Sequence, residues 1–306
     1  MFPLRWPSLG ARGRGSRPRR GGGLPIAQCA SVGGSWSTRR MGFDAQFLGV
    51  PAAMPRVGGA DAPAAVELEY LHFSVVLDTA RRLARVTGVN VDGPSLIDLP
   101  RGDDWRLDER IPADWQAGPE IYARNDFDRG HLVRRRDPVW GAPEIAARAN
   151  AETFRYPNAA PQASGFNQSK ELWLGLEDHV LAHAEAYGLR LSVFTAPVLA
   201  AGDPPYRGIR VPLRFWKVVA WNAGGRLATT AFVVDQAPLV DTSEVVAPAP
   251  GEAPPLGPFR TFQVPVSDVA GLTGLVMPDL VAADVLPSTV AVTGWRPLAS
   301  FEGIVL

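Results

Sequence analysis

Short apolar runs alternate with turn clusters along most of the chain, and their periods predict its elements. "LEYLHFSVVLD" (68–78) and "RRLARVTGVNVDG" (81–93) are rich in β-branched and aromatic residues. They predict a strand pair joined near Asp78–Arg81, with Asp92-Gly93 ending the second strand. Residues 94–124, punctuated by Pro100, Pro112 and Pro119, predict loop. "PEIAARANAETF" (143–154) predicts a short helix, and "YPNAAPQASG" after it a loop. The strongest helical period lies in "FNQSKELWLGLEDHVLAHAEAYG" (166–188). There Trp173, Leu176, Val180, Ala184 and Tyr187 recur at three- and four-residue steps, and Gly188 suits the stop. Three strand-like runs follow, "LRLSVFTAPVL", "PLRFWKVVAWNA" and "RLATTAFVVDQ", the last two flanking an "AGG" hairpin signal. A Pro-rich loop (247–258) leads to "FQVPVSDVAGLTGL", where Ser267 is placed to cap a short helix. No repeat or composition break divides residues 41–306, so the pattern predicts one α+β domain.

Charge changes this picture at the N-terminus. Residues 1–40 carry eight arginines and no Asp, Glu or Lys. "GARGRGSRPRRGGG" has too little apolar surface to fold and is expected to be disordered. An RGG-like arm touching nucleic acid is the sharper reading. The plainer one, taken here, is an unstructured leader or untranslated sequence upstream of a natural start at Met41. The leader lacks the continuous apolar stretch of a secretory signal, though its Arg-rich, acid-free composition is faintly that of a transit peptide. Of 31 basic residues, 23 remain beyond the leader against 31 acidic ones, a net of −8. Whole-molecule attraction therefore cannot capture a polyanion, and a local basic groove must do so. The single Cys29 excludes an internal disulfide framework and a multi-cysteine zinc site. It fits a reducing compartment or an exported enzyme that relies on its core. No run approaches the roughly 18–20 apolar residues of a membrane span.

Candidate chemistry concentrates in two stretches. "NDFDRGHLVRRRDPVW" (125–140) sets His131 among Arg124, Arg129, Arg134, Arg135 and Arg136. Like charge lowers the proton affinity of such a histidine and favours the free base, while arginine forks suit phosphate oxygens. Gly130 is read as letting the backbone bend and leaving room for a ligand. The competing reading is a salt-bridged surface turn. "NAAPQASGFNQ" offers Asn158, Gln162 and Asn167, and a carboxamide oxygen suits a hard cation such as Mg2+. The competing reading of Asn167 is a helix N-cap. His179 and His183 have zinc-pair spacing, but Val180 stands where a metalloprotease needs Glu, and no third ligand is evident. His72 reads as a half-buried strand residue. No Walker loop, Rossmann fingerprint or Gly-x-Ser-x-Gly elbow is present.

Taken together, "YARNDFDRGHLVRRRDPVWG", "NAAPQASGFNQSKELWLGLED", "FWKVVAW" and the upstream "RGDDWRLD" resemble the sugar-non-specific DNA/RNA endonucleases. That is the endonuclease G-like family of the ββα-metal, or His-Me finger, superfamily. The resemblance runs from about Phe43 to Leu275. It implies a ββα-metal fold with a central, mainly antiparallel sheet flanked by helices, and a Mg2+-dependent endonuclease in which Mn2+ can substitute. His131 would be the general base, Asn167 the one direct protein ligand of hydrated Mg2+, and Glu177 the holder of a water on that ion. Arg101 would stabilise the phosphorane-like state, and Arg129 would support the site and the phosphate. Arg124, Arg134, Arg135, Arg136, Asn158 and Gln162 are the expected substrate contacts. DNA and RNA would be cut to 5′-phosphate and 3′-hydroxyl ends. A homodimer and an inhibitor protein are compatible partners.

Two features depart from the family pattern. Asn167 and Glu177 are ten residues apart where eight is usual, which on a continuous helix adds roughly 3 Å and makes Glu171 the alternative holder of the water. Leu181 stands where many members carry an arginine. Two other readings remain at this stage, an inactive binding module of the same fold and a phosphodiesterase for a small diester.

Overall fold

A computed structural model of the 306-residue chain describes residues 41–59, 64–168, 173–240, 261–286, 295–298 and 303–304. The expectations for residues 1–40 and for the loop 247–258, and the side chain of Glu171, lie outside the described residues.

The central element is an eight-stranded sheet in which every neighbouring pair is antiparallel. Its strands are β1 (Ala65–Tyr70), β2 (Phe73–Asp78), β3 (Leu83–Asp92), β6 (Arg190–Pro197), β7 (Arg214–Asn222), β8 (Leu227–Asp235), β9 (Thr261–Val264) and β10 (Arg296–Pro297). They lie in the order β10-β9-β8-β7-β6-β3-β2-β1. A separate two-stranded ribbon pairs β4 (Phe127–His131) with β5 (Ala159–Ala163). Besides a single helical turn at Pro119–Tyr122, inside the stretch 94–124 expected as loop, the helices are α1 (Pro143–Glu152), α2 (Ser164–Asn167), α3 (Trp173–Ala186), α4 (Val266–Thr273) and α5 (Pro278–Ala282).

Both faces of the sheet are covered. Along β7, Phe215 and Val219 join the cluster that includes Phe166 of α2, Leu176 and Leu181 of α3, and Leu132 after β4. Trp216, Val218 and Ala220 point the other way, into a second cluster with Leu48, Val269 and Leu280. Side chains alternate across a strand, so a strand buried on both faces reads as an unbroken apolar run. That is why 214–222 and 227–235 show no polar alternation. One exception is Lys217, on the Phe215–Val219 face and 2 % exposed.

Several expectations are corrected. The run 68–78 is two strands, turning at Leu71–His72 with φ +68° at His72. His72 is half-buried, as expected, but in that turn rather than in a strand. Its Nδ1 donates to Pro138 O at 2.8 Å and its ring stacks on Trp140 at 3.5 Å, so the turn clasps the chain that follows the DRGH stretch. Residues 159–163, expected as loop, form β5. The predicted long helix 166–188 is instead α2 and α3, and Tyr187 at the end of its apolar stripe is 69 % exposed. Ser267 lies inside α4, whose N-cap is Pro265 with no side-chain cap.

Candidate active site

β4 carries the DRGH stretch in an extended conformation. Its register on β5 is Asp128↔Gln162, Arg129↔Pro161, Gly130↔Ala160 and His131↔Ala159. Gly130 is required by closeness, for a Cβ there would lie 2.1 Å from Gln162 Cδ. The room expected for a ligand is filled by Gln162, which is fully buried. Asn158 is also fully buried. Its Oδ1 accepts from Val133 N at 2.8 Å, and its Nδ2 donates to Val133 O at 2.9 Å and Thr153 O at 3.0 Å. Both residues, expected as substrate contacts, are buried: Asn158 braces the segment that follows His131, and Gln162 packs against Gly130 with neither amide atom hydrogen-bonded among the described residues. Arg124, also expected on the substrate, is exposed and outside the cleft described next.

A cleft of about 750 Å³ opens over β4, α2 and α3. His131, Asn167, Glu177, Arg101, Arg129, Arg134, Arg135 and Arg136 all line it. Five arginines face three carboxylates there, so the cleft is locally basic on an acidic body. The arginines differ in commitment. Arg134 donates to Glu177 O at 3.0 Å and pairs with Asp178. Arg135 donates to Leu99 O at 2.9 Å. Arg136 lies 3.8 Å from Asp98 and 3.6 Å from Glu185, and Arg129 lies 3.6 Å from Asp103. Arg101 is exposed and makes no ion pair among the described residues.

The His131 imidazole is half-buried against two aromatic rings, Trp105 at 4.6 Å and Phe154 at 5.0 Å. Its Nε2 is sealed from solvent and has no hydrogen-bond partner among the described residues. Burial first, and then the charges of Arg101, Arg135, Arg129 and Arg134, lower its pKa to about 3, so the ring is neutral at neutral pH. Trp105 escaped the sequence reading. Its only signal was an aromatic residue inside "RGDDWR", and its packing on His131 depends on tertiary structure.

Asn167 ends α2 and Glu177 lies in the first two turns of α3, so no continuous helix joins them and the ten-residue spacing is not a helical rise. Asp128 Oδ2 accepts from Asn167 Nδ2 at 3.0 Å and from Gln168 Nε2 at 2.8 Å. This pins the amide nitrogen and leaves Asn167 Oδ1 without a donor among the described residues. The N-cap reading of Asn167 is set aside, since it closes a helix rather than opening one. Leu181 is buried in the core and sends nothing into the cleft.

Residues 56–284 match the model of the DNA/RNA non-specific endonucleases. The chain belongs to that family. It is 40% identical over 278 residues to an uncharacterized protein, y4fB, of Sinorhizobium fredii, covering 82% of this chain and 41% of that protein. It is 27% identical over 188 residues to a protein of Schizosaccharomyces pombe named "Nuclease 1, mitochondrial", covering 55% of this chain and 51% of that one. The chain thus spans about half or less of the length of these relatives. A chain of the crystal structure of the EndoG/EndoGI complex, concerned with the mechanism of EndoG inhibition, matches with a TM-score of 0.53 at 21% identity. That match covers 70% of this chain and 85% of that one, and it supports the fold.

The side chains present fit a hydrated divalent cation of the kind used across this endonuclease family. Among the described residues no three His, Cys, Asp or Glu side chains cluster to hold an ion. A site with a single carboxamide ligand needs no such cluster, because Mg2+ keeps most of its waters. Asn167 Oδ1 would be the direct ligand. Glu177 also lines the cleft, with Oε1 3.6 Å from Lys217 Nζ and making no hydrogen bond among the described residues, and its carboxylate would hold a water of that ion. Among the described residues no helix is long and apolar enough to cross a membrane.

Proposed function

We propose that the chain is a Mg2+-dependent endonuclease that hydrolyses DNA and RNA to 5′-phosphate and 3′-hydroxyl ends. The observation that carries this reading is that a neutral imidazole, His131, and an oriented carboxamide, Asn167, line one arginine-rich cleft. On this reading the neutral ring takes a proton from the attacking water, at Nδ1 because Nε2 is sealed. Arg101, which makes no ion pair among the described residues, grips the phosphate oxygens as negative charge grows on them, and Arg129 supports it. Asn167 would hold the cation and Glu177 would orient its hydration shell. Mg2+, when bound, would supply positive charge that stabilises the growing negative charge, and a water would protonate the leaving 3′ oxygen. None of these groups reads a base edge or a 2′-hydroxyl, which suits cleavage of both nucleic acids. An inhibitor protein is a further partner under this reading, since the neighbouring fold is that of EndoG in complex with EndoGI.

Digestion of supercoiled plasmid tests the reading, run with and without EDTA on wild type and His131→Ala, with RNA and a small diester in parallel. EDTA should abolish cleavage, and the substitution should slow it by about 10²–10⁴-fold. Cleavage that persists in either case contradicts the proposal. Turnover of the small diester alone points to a different phosphodiesterase.

A further inference from the structure

The chain draws 29 of its 31 cations from arginine, and one of its two lysines is buried in the middle of the sheet. Lys217 belongs to "FWKVVAW", a stretch of the family resemblance to which the chemistry above gives no role. Strand alternation turns its side chain with Phe215 and Val219 toward α3, beneath the cleft. Its Nζ donates to Thr195 Oγ1 of the neighbouring β6 at 3.0 Å and lies 3.6 Å from Glu177 Oε1. On the cleft side, Arg134 Nε lies 3.9 Å from Glu177 Oε2 and its NH1 donates to the Glu177 carbonyl. The Glu177 carboxylate, 7 % exposed, is thus bracketed by one cation from the sheet and one from the cleft wall.

Burying an ammonium costs several kcal/mol, and a well-packed hydrophobe serves stability as well or better. A chain that uses arginine at 29 of its 31 cationic positions has here a compact point charge on a thin, unbranched stem buried in the sheet. Resting on the nuclease reading, we propose that Lys217 is a positioning residue. Anchored by Thr195, it aims the Glu177 carboxylate at the hydration shell of the cation held by Asn167. Asp137, also buried, feels the charges of both Lys217 and Arg134, so the test separates service to Glu177 from service to Asp137.

The test measures binding of Mn2+ alone to the inactive His131→Ala protein by electron paramagnetic resonance. Turnover and Tm are measured in the His131 background. Lys217→Met and Lys217→Arg should each weaken Mn2+ binding by about tenfold or more, the range for partners that orient a metal site. They should lower kcat with little change in KM for DNA. The isosteric Thr195→Val should shift both quantities the same way by less, and it stands in if the lysine variants fail to fold. In a Glu177→Gln background, Lys217→Met should add no further loss, because the two residues act as one unit. Unchanged Mn2+ binding in a folded Lys217→Met or Thr195→Val protein overturns the proposal, as does a full additional loss in the Glu177→Gln background. If wild type survives EDTA, the nuclease reading itself has failed. If EDTA abolishes activity while these variants remain neutral, only the role of Lys217 is lost.

Discussion

At the scale of single residues, two titratable groups in the cleft move in opposite directions, and each movement has a use. His131 is held neutral by burial and by four arginines, with a pKa near 3, so it remains a base across the whole working range. Glu177 is pushed up to about 7 by burial, against the pull of Lys217 and Arg134. A carboxyl that must ionise to hold the water of a cation competes with protons below its pKa. On the proposed reading, falling pH should loosen the cation before it protonates His131. The half-saturating Mg2+ concentration should rise by up to about tenfold per unit as pH falls below about 7. At saturating Mg2+ the turnover should change little over the same window. In Glu177→Gln the half-saturating Mg2+ concentration should be higher than in wild type and flat with pH. Steady-state titrations of Mg2+ at a series of pH values check this. A turnover at saturating Mg2+ that drops with a pKa near 6.5 would mean that His131 titrates as an ordinary histidine.

At the scale of elements, the ribbon β4–β5 and its continuation place the imidazole, and much of this was hidden from the sequence. The four longest strands of the main sheet, β3, β6, β7 and β8, were legible because their β-branched and aromatic runs are long and bounded by turn residues, whereas the short β9 and β10 were not. β5 was not, since "AAPQA" has no strand propensity and pairs only because β4 lies beside it. The Leu71–His72 turn was missed because its positive φ falls on a histidine rather than on Gly or Asn. Asn158 and Gln162 read as polar groups available to substrate because burial cannot be seen in a polar loop-like stretch. Asn158 in fact closes three hydrogen bonds, two to Val133, the second residue after His131, and one to Thr153. Asn158→Ala leaves the Val133 and Thr153 backbone groups unpaired and should cost about 2–4 kcal/mol, judged at about 1 kcal/mol per lost bond. Chemical denaturation measures that cost. Turnover below the denaturation midpoint should fall as well, because His131 is attached to the loosened segment. Stability unchanged within error would show that the bracket is idle.

At the scale of the whole molecule, an acidic body carries one basic cleft. Beyond residue 40 the net charge is −8, yet five arginines converge on His131 and Asn167. Capture of a polyanion then rests on a local field over a short path and should be suppressed steeply by salt. The family was legible in the sequence because four motifs occur in order, while their meeting in space was not. Arg101, His131, Asn167 and Glu177 come from a loop, a ribbon strand and two helices, and only the covered sheet beneath brings them to one surface. The central claim is that His131 and Asn167 act on a single phosphorus from two sides. A crystal structure of His131→Ala with a short DNA duplex and Mg2+ tests it most directly. The account predicts one scissile phosphate in the cleft, the ion on Asn167 Oδ1 and Arg101 on a phosphate oxygen. An ion held elsewhere, or a backbone that passes the cleft without placing a phosphate between residues 131 and 167, would contradict it.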